Sequence, residues 1–123
     1  MFLELSHTKL FAYDYSKRLV FECYQTLKKF PPEEKYCLAQ QIRRAAFSVN
    51  LNVSEGSSRK SEAERKRYFE IARGSVIEID AGLEGAEILG YIKKENEYEL
   101  GNVIVKLFKI LTGLINSSIK KSI

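Results

Sequence analysis

The chain has 123 residues, 45% of them hydrophobic and 29% charged, with a net charge of +4 and a pI near 9.0. A chain of that length buries roughly two-thirds of its unfolded surface without a disulfide staple or structural metal, and the composition excludes a disordered chain. The charge is uneven: residues 57–74 carry six cations against three carboxylates, an excess of +3, whereas residues 75–123 carry six against seven.

The N-terminal Met1-Phe2-Leu3-Glu4-Leu5-Ser6-His7 has neither a basic n-region nor a sustained apolar run, so no secretory signal is read and a cytoplasmic location is expected. Prolines occur only at 31 and 32, and period-two alternation never persists, which predicts an all-α chain. Helix 1 is expected over about residues 7–29, with Phe11, Tyr15, Leu19, Cys23 and Leu27 four apart; it must stop before Phe30-Pro31-Pro32, because the residue before a proline is pushed out of helix. Helix 2 is expected to restart at Pro32, with Glu33 and Glu34 facing the positive end of its dipole, and to end at Gly56. Cys23 and Cys37 fall in different helices without metal-ligand spacing and read as buried, reduced thiols.

Helix 2 carries two stripes at steps of three and four residues. Leu38, Ile42, Ala45, Val49 and Val53, with Ala46 beside them, form an apolar face that seeks a core. Gln41, Arg44, Ser48, Asn52 and Glu55 form a polar row that mixes donors and acceptors in place of the Lys and Glu of a plain solvated face. Two readings fit this row. In the first, Arg44, Asn52 and Glu55 satisfy one another and Ser75 or Glu78 across a helix pair or subunit boundary and fix register; in the second, the row faces a ligand. The structural reading is taken.

Helix 3 opens with a capping box at Ser61-Glu62-Ala63-Glu64, continues through Phe69, Ala72, Val76, Ile79, Leu83 and Ala86, and stops at Gly90. Gly74, Gly82 and Gly85 each cost about 1 kcal/mol relative to alanine, which predicts close approach of another backbone. The basic excess lies at its start: Arg59, Lys60, Arg65, Lys66, Arg67 and Arg73. Interleaved Glu62, Glu64 and Glu70 could make this a merely solvated face through pairs such as Glu62 with Lys66. In an oligomer, however, each local excess is multiplied into a surface that attracts phosphate, with Tyr68 the one residue placed to stack on a base.

Helix 4 opens at Asn96-Glu97-Tyr98-Glu99 and is expected to reach about Lys120. Its apolar run Val103 to Ile115 contains Lys106 and Lys109 and falls short of the roughly 20 residues of a membrane span, so an amphipathic helix without a membrane role is expected. Leu100, Val103, Leu107, Ile110 and Leu114 form one stripe; Ile104, Phe108, Leu111 and Ile115 form a second beside it. One bundle core rarely needs both, so the second stripe predicts an exposed patch and a homo-oligomer interface. Short connections predict an antiparallel up-down-up-down four-helix bundle forming one domain over residues 1–123.

Catalysis finds little footing. His7 is the only histidine and lies near a terminus, so no di-iron Glu-x-x-His pair, no His-Glu-x-x-His zinc helix and no histidine-based triad can be assembled. There is no G-x-x-x-x-G-K phosphate loop, and no histidine follows any arginine, which excludes a ribonuclease built on an Arg and His of one helix. No enzymatic activity, metal or cofactor is expected.

At Gln41-Ile42-Arg43-Arg44-Ala45-Ala46, Ser48-Val49, Asn52-Val53-Ser54-Glu55-Gly56 and Ile71-Ala72-Arg73-Gly74-Ser75 with Glu78, the sequence resembles the bacterial "four helix bundle protein" family. That family includes proteins encoded by intervening sequences within large-subunit ribosomal RNA genes and is related to the accessory variability protein of diversity-generating retroelements. The match extends from about Phe11 to Ser118 and includes Phe30-Pro31 and Leu89-Gly90-Tyr91-Ile92; Val53 and Ser54 depart from the common Asn-Ile-Ala-Glu-Gly. The resemblance implies a ring of bundles, typically a pentamer. The retroelement relative binds nucleic acid through basic surfaces and partners a reverse transcriptase. The expected function is therefore a cytoplasmic, non-enzymatic oligomeric bundle that binds RNA or DNA as an accessory to RNA-related machinery, the alternative being a scaffold or adaptor for a reverse transcriptase or other protein.

Overall fold

A computed structural model describes residues 2, 3 and 10–122, with side chains described to residue 117. His7 and the first residues assigned to helix 1, together with the side chains of Lys120 and Lys121, lie outside the described residues. Four helices account for the architecture: α1 (Phe11–Leu27), α2 (Leu38–Ser58), α3 (Glu62–Ile88) and α4 (Tyr98–Ser122). There is no strand among the described residues.

Each helix packs on its neighbours in sequence, and α4 closes the bundle against α1. Adjacent helices run in opposite senses: from α2 to α3, Ser48 meets Ser75 and Gly56 abuts Phe69, while from α1 to α4 Thr26 meets Glu97. The predicted up-down-up-down bundle is thus the fold. Its core takes Leu19 and Cys23 from α1, Ile42, Val49 and Val53 from α2, Phe69, Val76 and Ile79 from α3, and Leu100, Leu107 and Leu111 from α4.

The helix ends depart from the sequence reading where tertiary contacts intervene. Helix 2 does not begin at Pro32; Pro32–Glu34 form a separate 3-10 turn, and the backbone at Cys37 leaves helical geometry (φ −118°, ψ −108°) before α2 starts. Arg43 pins this break by donating to the Lys35 carbonyl at 2.6 Å. Cys37 is exposed there, contrary to its expected burial, whereas Cys23 is buried as expected. Gly56 does not end helix 2 either, since α2 runs on to Ser58 and the chain turns extended only at Arg59. Gly56 is needed for packing: a Cβ there would stand 2.9 Å from Phe69 Cε1 and 3.0 Å from Tyr68 Cβ.

Helix 3 behaves as its caps predict. Ser61 is the N-cap and accepts from the Glu64 N–H at 3.3 Å. Gly90 adopts φ +80°, with Tyr91 N–H donating to Ala86 O at 2.9 Å and Gly90 N–H to Glu87 O at 3.0 Å, a Schellman closure. Of the three glycines expected to admit another backbone, Gly82 alone is crowded, and by a side chain instead: an added Cβ would stand 3.0 Å from Ile42 Cγ1. Gly74 and Gly85 face space with nothing within 4 Å.

In α4 the two apolar stripes are one. Leu100, Val103, Ile104, Leu107, Leu111 and Ile115 are all buried in the bundle's own core, because α4 faces both α3 and α1 and so needs a broader apolar surface than a single neighbour would demand. The inference of a surplus stripe is corrected accordingly: of Ile104, Phe108, Leu111 and Ile115, Phe108 alone reaches the surface, 37% exposed. The segment Tyr98–Ser117 is 20 residues long and apolar enough by composition to cross a membrane, longer than the run read from sequence. Its apolar side is the one that fills the core.

Candidate nucleic-acid interface

The polar row of α2 and the basic start of α3 lie on either side of the three-residue connection between Ser58 and Glu62. Along the row, the expected mutual network resolves into three local sets. Ser48 Oγ accepts from Ser75 Oγ at 2.9 Å, a bond from α3 to α2, and from Asn52 Nδ2 at 3.2 Å, while Asn52 also donates to the Ser48 carbonyl at 2.8 Å. Arg44 turns toward the N-terminus of α2, where the Gln40 amide, oriented by its neighbours, accepts from Arg44 Nη2 at 3.2 Å and donates to Tyr36 O at 2.9 Å. Glu55 instead pairs with Arg59 at 2.8 Å. Gln41 is exposed, and its side chain has no hydrogen-bond partner among the described residues.

The six predicted cations divide by role. Arg65 Nη1 donates to the carbonyls of Arg59 (2.9 Å) and Lys60 (2.7 Å), clamping the α2–α3 connection. Arg59 lies over the Tyr68 ring at 5.2 Å and donates to the Tyr68 hydroxyl at 3.3 Å; Tyr68 first and then Glu55 hold its guanidinium above the ordinary arginine range. Arg73 leaves the group, reaching α4 to donate to Thr112 Oγ1 at 3.2 Å and to cover the Phe108 ring at 5.8 Å. Lys66 meets Glu70 at only 3.8 Å on an exposed face, a pair of little energetic weight. Lys60 and Arg67 are exposed, and their side chains have no hydrogen-bond or ion-pair partner among the described residues. Lys60 on the connection and Lys66 and Arg67 in the second turn of α3 are therefore the cations available to a polyanion, beside a turn braced by Arg59 and Arg65. Tyr68 already has a ring contact and its hydroxyl committed to Arg59, which weakens its fitness for base stacking.

Sequence reasoning misses a further surface. Phe47 and Leu51, four apart on the outer side of α2, are 44% and 59% exposed, and Tyr24 of α1 meets Phe47 edge-on with centroids 6.0 Å apart. Both α2 residues interleave with the polar row in the sequence, so the signal is present but is masked by reading the row as continuous. No group of three or more His, Cys, Asp or Glu is placed to hold a metal among the described residues.

Fold and surface together define a small antiparallel helical bundle whose distinctive features are an outward polar helix face and a cationic turn. A family model for the 23S rRNA-intervening sequence protein matches residues 8–113, and the chain belongs to that family. A crystal structure at 1.70 Å of a protein of unknown function from the S23 ribosomal protein family of Bacteroides thetaiotaomicron VPI-5482 superposes with a TM-score of 0.77 at 24% identity, covering 85% of this chain and 95% of that one. At that identity the likeness is one of fold. Comparison with curated proteins found no match.

Proposed function

We propose that this protein is a non-enzymatic, cytoplasmic oligomer, a ring of five bundles, that binds RNA or other nucleic acid through phosphate contacts as an accessory to RNA-related machinery. The observation that carries the reading is the braced turn. Arg65 and Arg59 hold the backbone and Tyr68, while Lys60, Lys66 and Arg67 project from the same segment without a strong partner. Repeated around an oligomer, such turns become a ring of positive charge that releases counterions on meeting a polyanion. The family's name refers to a ribosomal RNA intervening sequence, which accords with an RNA setting.

A second reading, a scaffold or adaptor for a protein partner, is favoured by the exposed Phe47 and Leu51 beside Tyr24. Fluorescence anisotropy with labelled mixed-sequence RNA and DNA, at low and physiological salt, separates the two. Binding of both polymers with a steep loss on adding salt is expected of a phosphate-directed surface. No binding even at low salt would leave the adaptor reading in place.

A further inference from the structure

The cationic turn has a counterpart in a groove of opposite charge near the other end of the bundle. Between Arg73 and Lys93 the sequence contains Glu78, Asp80, Glu84 and Glu87 and no cation. Asp80, Glu84 and Glu87 line one wall of a groove of about 660 Å³ between the C-terminal half of α3 and the N-terminal half of α4. Steps of four and three residues put these carboxylates on one side of α3, spread over about 10 Å of helix. The Asp80 and Glu84 carboxylates have no ion-pair or hydrogen-bond partner among the described residues; Glu87 accepts from the Lys94 backbone N–H at 3.1 Å. Lys94 is the single cation on the lining.

The floor and far wall have a different chemistry. Leu83 and Ile104 form an aliphatic floor, and Val105, 52% exposed, forms an apolar lip on α4. Gly101 opens the α4 wall, since a Cβ added there would meet nothing within 4 Å. A row of carboxylates without cationic partners, above an aliphatic trough, complements an amphipathic segment with apolar residues on one side and Lys or Arg on the other. We propose that the α3–α4 groove docks a basic amphipathic helix of another protein, its apolar side on Leu83, Ile104 and Val105 and its cations against Asp80, Glu84 and Glu87. The cationic turn takes no part, so nucleic acid and this segment bind at separate places.

The test uses a fluorescent 18-residue peptide of leucine and lysine patterned as an amphipathic helix, titrated into the full chain. A leucine and glutamate peptide of the same pattern serves as the control. The Asp80→Asn, Glu84→Gln, Glu87→Gln triple variant retains side-chain oxygen acceptors, including one for the Lys94 N–H, and should weaken the lysine peptide at least tenfold. Gly101→Leu fills the trough from a position with free space and should do the same; each variant alone decides the matter if the other fails to fold by circular dichroism. Neutralising Glu33, Glu34 and Glu64 outside the groove should change the affinity less than twofold. Equal binding of the glutamate peptide, or equal losses from the two sets of neutralised carboxylates, would overturn the proposal. So would dissociation of the oligomer by the triple variant, which would make a second copy of the chain the occupant.

Discussion

Arg65 and Arg67 lie two residues apart in one cationic run, yet the structure gives them unrelated tasks. Arg65 bonds two carbonyls at the α2–α3 connection, and the Arg67 guanidinium bonds nothing among the described residues. A hydrogen bond from a charged group is worth about 1.5–3 kcal/mol, and water competes for one near the surface, so Arg65→Gln should lower the urea-unfolding free energy by about 1–2 kcal/mol while Arg67→Gln leaves it unchanged. Charge counting finds such a cluster but cannot divide it, because the acceptors for Arg65 are backbone carbonyls that only the fold brings to it. The two cysteines separate in the same way. Burial first, and then Glu22, push the Cys23 thiol up to about 12 from an ordinary 9.0, whereas Cys37 is exposed at the start of α2. A thiol reagent should label Cys37 at once and Cys23 only on unfolding. Because the folded Cys23 binds its proton more tightly than the unfolded one, its contribution to stability is complete below pH 9 and is lost as pH rises toward 12. The parent should therefore lose stability more steeply than Cys23→Ala over that interval.

At the scale of the helices, the apolar stripes of α2 and α3 are fully legible, since nearly every residue assigned to them is in or against the core. Ser61 and Gly90 are legible too, because a capping side chain and a left-handed closure act through bonds only a few residues away. Gly56, Gly74 and Gly85 are not: the same residue type serves close packing at one position and meets open space at the others, and the deciding neighbour of Gly56 is Phe69, on the next helix. Gly56→Ala should destabilise the protein by about 1–3 kcal/mol through overpacking. Gly74→Ala and Gly85→Ala should each stabilise it by about 0.5–1 kcal/mol, because alanine restricts the unfolded chain and meets no obstacle in the helix. Thermal unfolding of the three variants checks both signs. Leu100 to Ile115 reads as two stripes, but whether a broad apolar face is one core or a core plus an interface depends on how many neighbours the helix has, which a single helix's sequence does not contain.

For the whole molecule, the expected oligomer no longer rests on a surplus stripe of α4. Ile104→Asp would bury a charge in the core and unfold the bundle whatever its assembly state. Phe108→Asp and Leu51→Asp alter exposed positions and can probe assembly without that penalty. Light scattering during gel filtration should find the parent above 14.2 kDa and at least one of these variants dissociated; a parent that is itself a monomer at micromolar concentration would contradict the ring. The nucleic-acid role is tested most directly by the slope of log affinity against log salt for a mixed-sequence single-stranded RNA, compared between the parent and Lys60→Gln, Lys66→Gln, Arg67→Gln. Each phosphate contact on a single strand contributes about 0.7 to that slope, so the triple variant should flatten it by about 2 and bind more weakly, with its unfolding transition unmoved. An identical slope and affinity in the two proteins would contradict a phosphate-binding surface on this turn.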